Sequence, residues 1–152
     1  MRVYVCVTGD LFHYGHIFFF KKARQFGKEL IVGICADDHV SADKRSPILN
    51  LQERTEVIKN CVLVDEVVTG APPATDKNFM RLHRIDAVVA STQYPKQVLK
   101  KYYDYPQEIG SLKLVDYTDG ISATDIILRC YPAVCEEALK RNIALVIHSI
   151  VT

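Results

Sequence analysis

The sequence is poor in the features that mark secreted, membrane-spanning or polyelectrolyte-binding proteins. It has no C-x-x-C pair, and its five cysteines (Cys6, Cys35, Cys61, Cys130 and Cys135) are an odd number lying mostly inside apolar stretches. No basic, apolar, cleavable leader stands ahead of them, so a reducing, cytoplasmic interior is the expected setting. An excess of one charge is missing too: 19 Lys and Arg against 18 Asp and Glu leave a net charge of +1. That balance excludes a broad basic surface for nucleic acid or an acidic tail, and any anion site has to be local. There is no internal repeat and no low-complexity segment. The stretch 133–152 holds Val134, Ala138, Ile143, Leu145, Val146, Ile147 and Ile150 but is too interrupted by charge to span a bilayer. It is expected to be a C-terminal helical tail packed on the domain or on a second subunit. With no long basic amphipathic helix, no membrane partner is expected.

What is present is an ordinary globular composition, 49% apolar and 24% charged over 152 residues. A chain of this size buries about 68–70% of its unfolded surface and sustains a core without disulfides, so a single domain over 1–152 is expected. Val3 to Val7 is a short β-branched run bounded by Gly9-Asp10 and predicts a first strand. Gly15 to Phe26 has Ile17, Phe20 and Ala23 at helical spacing, with Gly27 placed as a C-cap. Further strands are predicted at Leu30 to Cys35, Glu66 to Val68, Ala87 to Ala90 and Leu112 to Val115. Helices are predicted at Leu51 to Cys61, Asp76 to His83, Pro95 to Tyr102 and from Ser122 to Cys130, with Ala36 to Asn50 and Tyr102 to Ser111 left as the longest loops. Unbroken apolar strands alternating with helices predict an α/β, Rossmann-like parallel sheet of about five strands, with helices on both faces. In such sheets ligands collect at the carboxyl ends of the strands.

The chemistry-bearing residues fall at those ends. Directly after the first strand comes Asp10-Leu11-Phe12-His13-Tyr14-Gly15-His16, which sets two imidazoles across a glycine at a helix start. Backbone N–H groups and the positive helix end favour an anion there, and imidazoles can donate to oxygens that gain charge in a transition state. Ser122 and Thr124, after Gly120, offer an N-cap and a close backbone approach of the same kind. Lys44, Arg45 and Arg54 cluster after the second strand. His39, His83 and His148 have no partners at ligand spacing, and the cysteines are read as buried hydrophobes.

Taken together these motifs resemble the cytidylyltransferase family of the nucleotidyltransferase α/β-phosphodiesterase superfamily, whose members activate phosphocholine, phosphoethanolamine, glycerol 3-phosphate and certain phosphonates. His13-Tyr14-Gly15-His16 matches the H-x-G-H signature. Lys44 followed by Gln52-Glu53-Arg54 resembles the lysine loop and the E-R of the next helix. Cys61 to Val68 resembles C-x-x-V-D-E-V-V, His83 to Asp86 resembles H-x-I-D, and Tyr117 to Thr124 resembles R-T-x-G-I-S-T-T. The resemblance runs to about Arg129.

It implies transfer of CMP from CTP to a small phosphate or phosphonate acceptor, with release of pyrophosphate, Mg²⁺ carried by the triphosphate, and a homodimer. It also implies His13, His16 and Lys44 as catalytic residues. The implied nucleotide site is Thr8, Gly9, Asp10, Gly15, Arg54, Ser91, Thr118, Gly120, Ile121, Ser122 and Thr124. Lys44, Arg45 and Tyr117 are the implied acceptor-binding residues. The chain departs from the pattern at Val7-Thr8-Gly9-Asp10, where the family has G-x-F-D, and at Ala90-Ser91-Thr92-Gln93, where acidic residues commonly follow the fourth strand. Tyr117 replaces an arginine and Ala123 a threonine, so charge compensation is expected from Arg45 or Lys44. The tyrosine and Lys44-Arg45-x-Pro47 look closer to the phosphonate enzymes. An adenylyltransferase and a nucleotide-binding module without turnover are the alternatives these departures leave open.

Overall fold

The computed structural model describes residues 1–43, 45–132, 136 and 137; Lys44 and nearly all of the expected 133–152 tail lie outside the described residues. The chain divides into two compact units, Met1–Gly120 and Ile121–Thr152. The first contains a five-stranded sheet in the order β3-β2-β1-β4-β5, with every neighbouring pair parallel. Its strands are β1 (Arg2–Val7), β2 (Glu29–Cys35), β3 (Glu66–Ala71), β4 (Ala87–Ser91) and β5 (Leu112–Val115). The helices of this unit are α1 (Tyr14–Ala23), α2 (Asp37–Asp43), α3 (Leu51–Lys59), α4 (Lys77–Leu82) and α5 (Lys96–Glu108). In the second unit a helix runs over 123–132.

Apolar runs that do not alternate with polar residues have to be covered on both faces, and the packing shows how. Val3 and Val5 of β1, with Leu30, Val32 and Ile34 of β2, join Phe20 and Ala23 of α1 and Ile58 of α3 in one core. The intervening residues Tyr4, Ile31, Val88 and Ala90 point to the other face and meet Met80 of α4 and Tyr103 of α5. Because the strand order reverses between β1 and β4, their carboxyl ends flank the crevice where open α/β sheets bind ligands.

Two local expectations are corrected. Most of the expected loop from Tyr102 to Ser111 is helical, because α5 continues to Glu108 through a bend at Tyr103 (φ −130°, ψ 24°). The bend accommodates Pro106, whose missing N–H removes a helical bond to residue 102. The Ala36 to Asn50 loop likewise contains α2. Gly27 is a C-cap as expected, closing the short 3₁₀ helix Arg24–Phe26, but with an extended φ of −176°. It is required by crowding, since a Cβ there would lie 2.5 Å from the Met1 carbonyl oxygen and 2.6 Å from Val3 Cγ2.

Gly33, in the middle of β2, answers to a similar constraint, because an added Cβ would collide with the fully buried Tyr4 hydroxyl. Gly33→Ala should therefore destabilise the protein by about 1–3 kcal/mol, the usual cost of overpacking a core. Adding Tyr4→Phe, which removes the obstructing oxygen, should restore part of that loss. Denaturant unfolding of the two variants checks the pair, and an unchanged midpoint for Gly33→Ala would show that the contact is easily relieved.

Candidate active site

The turn from β1 into α1 is tight. Gly9 has φ +71°, and a Cβ on it would strike Ile58 Cδ1, while Leu11 holds a left-handed φ of 46° without being glycine. The turn delivers His13 as the N-cap of α1. His13 Nδ1 accepts from the Gly15 N–H at 3.2 Å, and His16 Nδ1 accepts from the His13 N–H at 3.3 Å. Two imidazoles thus form a capping box normally built from a hydroxyl and a carboxylate. With Nδ1 an acceptor in both rings, the neutral tautomer of each carries its hydrogen on Nε2, as a donor.

The His16 ring stacks on Phe12 (centroids 5.4 Å apart) and lies 4.0 Å from the His13 ring. Burial, followed by the proximity of His13, pushes the His16 pKa down to about 4. His16 is therefore a neutral hydrogen-bond donor at neutral pH. That suits stabilisation of developing anionic charge without a change of protonation state.

Two ionic nodes hold the loops around this turn. Asp10 is only 4% exposed. It accepts from the Ile48 and Leu49 N–H groups at 3.0–3.1 Å and pairs with Arg45 Nη2 at 3.0 Å. Burial alone would raise its pKa, but the Leu49 and Ile48 N–H groups and Arg45 more than offset this, and the net shift is downward. Arg54 is fully buried and donates to the carbonyls of Thr8, Cys35 (3.0 Å) and Leu49 (3.1 Å) and to Asp37.

The structure thus places the Arg54 guanidinium as a support between β1, β2 and the start of α3. It also places Arg45 against Asp10, where its charge is already matched. Lys44 precedes Arg45 in sequence and lies outside the described residues.

The 116–120 segment meets the same helix. Lys22 Nζ donates to the Asp116 carbonyl at 2.6 Å, and Gly120 (φ +89°) sits so near Tyr14 that a Cβ would stand 3.3 Å from the tyrosine hydroxyl. A glycine is needed here both for its conformation and for this approach. The end of the first unit thus meets α1 twice, at Lys22 in its last turn and at Tyr14 in its first. Thr118 Oγ1 is buried there with no protein hydrogen-bond partner among the described residues. Tyr117 is 41% exposed. Ser91, at the end of β4, accepts from the Gln93 N–H at 3.2 Å. In the second unit, Ser122 Oγ accepts from the Asp125 N–H at 3.1 Å and donates to its carboxylate at 2.6 Å, forming an N-cap shortly after Ile121 and close to Thr124 in sequence.

Sequence reasoning missed a cavity of about 450 Å³ in the first unit. Cys6, Thr8 and Cys35, at the carboxyl ends of β1 and β2, line it together with His39 of α2 and with Tyr94, Lys101, Tyr102 and Tyr103 around α5. No motif announces it, since its walls come from four separate segments. The cysteines at two adjacent strand ends were the one available hint.

Comparison with known proteins agrees with this geometry. A family model described as cytidylyltransferase-like matches residues 6–129. The ethanolamine-phosphate cytidylyltransferase of Dictyostelium discoideum is 40% identical over 126 residues, covering 79% of this chain and 35% of its own length. That of Arabidopsis thaliana is 32% identical over 92% of this chain and 34% of its own. Human choline-phosphate cytidylyltransferase A is 35% identical over 85% of this chain and 36% of its own. The chain thus spans about a third of the length of these relatives. A crystal structure described as a lipopolysaccharide core biosynthesis protein from Thermoplasma volcanium shares the fold, with a TM-score of 0.62 at 19% identity, over 80% of this chain and 98% of its own.

The buried His16 carries a pH signature. Its folded pKa of about 4 lies below the ordinary histidine value near 6.5, so the unfolded chain binds the extra proton between those values. The contribution of His16 to stability is fully present above about pH 6.5 and is lost as pH falls towards 4. Replacing it by alanine should flatten the fall of the unfolding free energy across this window. Parallel slopes for the wild type and His16→Ala would show that His16 does not titrate as the burial requires.

Proposed function

The chain belongs to the cytidylyltransferase-like family, and from that premise we propose that it transfers CMP from CTP to a small phosphorylated or phosphonylated alcohol and releases pyrophosphate. The observation that carries this reading is the pair of imidazoles at the start of α1, both with Nδ1 engaged by backbone N–H groups. An acceptor oxygen attacks the α-phosphorus in line while the bond to the β-phosphate oxygen breaks, and pyrophosphate departs with the Mg²⁺ that entered with the triphosphate. No covalent enzyme intermediate is required. The protein acts by positioning two anions and by stabilising the charge that builds between them.

Nε2–H of His13 and of His16 donate to the α- and β-phosphate oxygens, aided by the positive end of α1. Lys44 neutralises the approaching anions. Asp10 and Arg54 position the loops, and the orphaned hydroxyl of Thr118, with Gly120, Ile121, Ser122 and Thr124, serves the triphosphate. Ser91 lies at the strand end expected for the base. The homodimer and the cytoplasmic setting belong to the same proposal. Phosphocholine, phosphoethanolamine and hydroxyalkylphosphonates are the acceptor candidates.

The test is pyrophosphate release measured with CTP and with ATP over a panel of phospho-alcohols and phosphonates. CTP should be preferred. His16→Ala should lower kcat by about 10²–10³ with a much smaller effect on nucleotide binding, as for removal of one donor to a developing oxyanion. Lys44→Ala should raise KM for both substrates. Near-normal turnover by His16→Ala would remove the imidazole from the chemistry, and preference for ATP would replace cytidylyl by adenylyl transfer.

A further inference from the structure

We infer that Cys6 and Cys35 are a modification site, a thiol pair at the carboxyl edge of the sheet that hydrogen peroxide converts to a disulfide, and that this crosslink slows turnover. The crosslink stands apart from the nucleotidyl-transfer reading above, and only its effect on turnover rests on that reading.

Cys6, near the end of β1, pairs in register with Gly33, and Cys35 follows two positions later at the end of β2. Both side chains therefore leave the same face of the sheet, at neighbouring strand ends. Their sulfurs are 3.2 Å apart, in hydrogen-bond contact. A disulfide bond is about 2.05 Å long, so closure asks for an approach of about 1 Å. The end of β2 has latitude for it, because its register with β3 shifts between Ile34 and Cys35. Both thiols line the cavity of about 450 Å³, which has room for a peroxide beside them. The other described cysteines stand apart from this pair: Cys61 packs against the core on the opposite face of the sheet, and Cys130 is exposed in the second unit.

Contact with Cys35, and then burial, hold the Cys6 thiol well above its ordinary pKa, so Cys6 keeps its proton and donates it towards Cys35. Cys35 is therefore the sulfur that attacks first. Its S–O bond forms as the peroxide O–O bond breaks, one water leaves, and a sulfenic acid remains. The Cys6 sulfur then forms the S–S bond as that S–O bond breaks, and the hydroxyl departs as a second water with the Cys6 proton. Two thiols lose two electrons and two protons in all, and one peroxide is reduced to two waters. The change reaches the imidazole turn through the backbone. The Cys35 carbonyl accepts from Arg54 Nη2 at 3.0 Å, and the same guanidinium donates to the carbonyl of Thr8, two residues after Cys6. Drawing the sulfurs together displaces carbonyls that the buried Arg54 holds, and the segment leading to His13 starts at one of them.

The experiment treats the full, reduced chain with hydrogen peroxide, alkylates the remaining thiols, and maps the peptides by mass spectrometry without reduction. A peptide pair joined through Cys6 and Cys35, lighter by two hydrogens and separated again by dithiothreitol, is the expected product. Cys6→Ser and Cys35→Ser should each abolish it, and Cys130→Ser should leave it intact. Pyrophosphate release should fall by about 10- to 100-fold in the crosslinked wild type, the scale of a displacement of about 1 Å near the chemistry, and should return with dithiothreitol. Peroxide-treated Cys6→Ser should keep the turnover of its own reduced form. Oxidation of Cys130 without any Cys6–Cys35 peptide overturns the inference, and so does a complete crosslink with undiminished turnover. If the reduced chain releases no pyrophosphate with any nucleotide, the transfer reading fails, and the peptide map alone still decides whether the thiols form the pair.

Discussion

The architecture around the site depends on one buried guanidinium. Arg54 has no exposed surface, and a charge in that position is tolerated only when its donors are satisfied. It meets that condition by reaching the last carbonyl of β2, the carbonyl that follows β1 and the one that leads into α3. Its ion-pair partner Asp37 is 43% exposed, so the charge is compensated at the rim of the domain rather than in the deepest core. Three chain segments that would otherwise splay at the carboxyl edge of the sheet are thereby fixed relative to one another. The turn bearing His13 leaves from one of them and the cavity floor is formed by two.

On this frame the electrostatics are local. A net charge of +1 supplies no global field to gather anions. The Asp10 carboxylate takes up the Arg45 charge and two loop N–H groups. His16 is uncharged, and among the described residues of this turn an anion is offered a set of oriented N–H dipoles at a helix start. Such a site binds through fixed geometry, and its donors need no reorganisation as charge develops. The reciprocal bonding of the two imidazoles to the backbone fixes that geometry, because each Nδ1 that accepts leaves its Nε2–H as the donor.

The reversal of strand order between β1 and β4 gives the edge its two compartments. The imidazole turn rises from β1 towards α1, which packs on one face of the sheet, and the thiol-floored cavity opens towards α5 on the other. Side chains of consecutive β1 residues point to opposite faces, so a single strand end serves both compartments.

Much of this was legible along the chain. Apolar runs too continuous for a one-faced sheet set the parallel α/β class. Two histidines around a glycine after the first strand marked the candidate anion site, because strand, turn and helix start are all local in sequence. The Asn50–Glu53 capping box and the Asp76 cap are local in the same way, and the helices they open begin where expected. Tertiary structure decided what depends on partners far away in sequence. Arg54 and Arg45 look like solvated cations or phosphate ligands until the carbonyls and the carboxylate they reach are placed beside them. Gly27 and Gly33 look like turn or weak-strand residues until the atoms crowding them are known. The helix from Pro95 looks as if it ends at Tyr102 until packing of Tyr103 in the core favours a bent continuation through Pro106. The cavity at the ends of β1 and β2 was hidden most completely, because its walls come from four separate segments. Local periodicity and capping are properties of neighbours along the chain, whereas burial, ion pairing and pocket polarity exist only once distant segments share one volume.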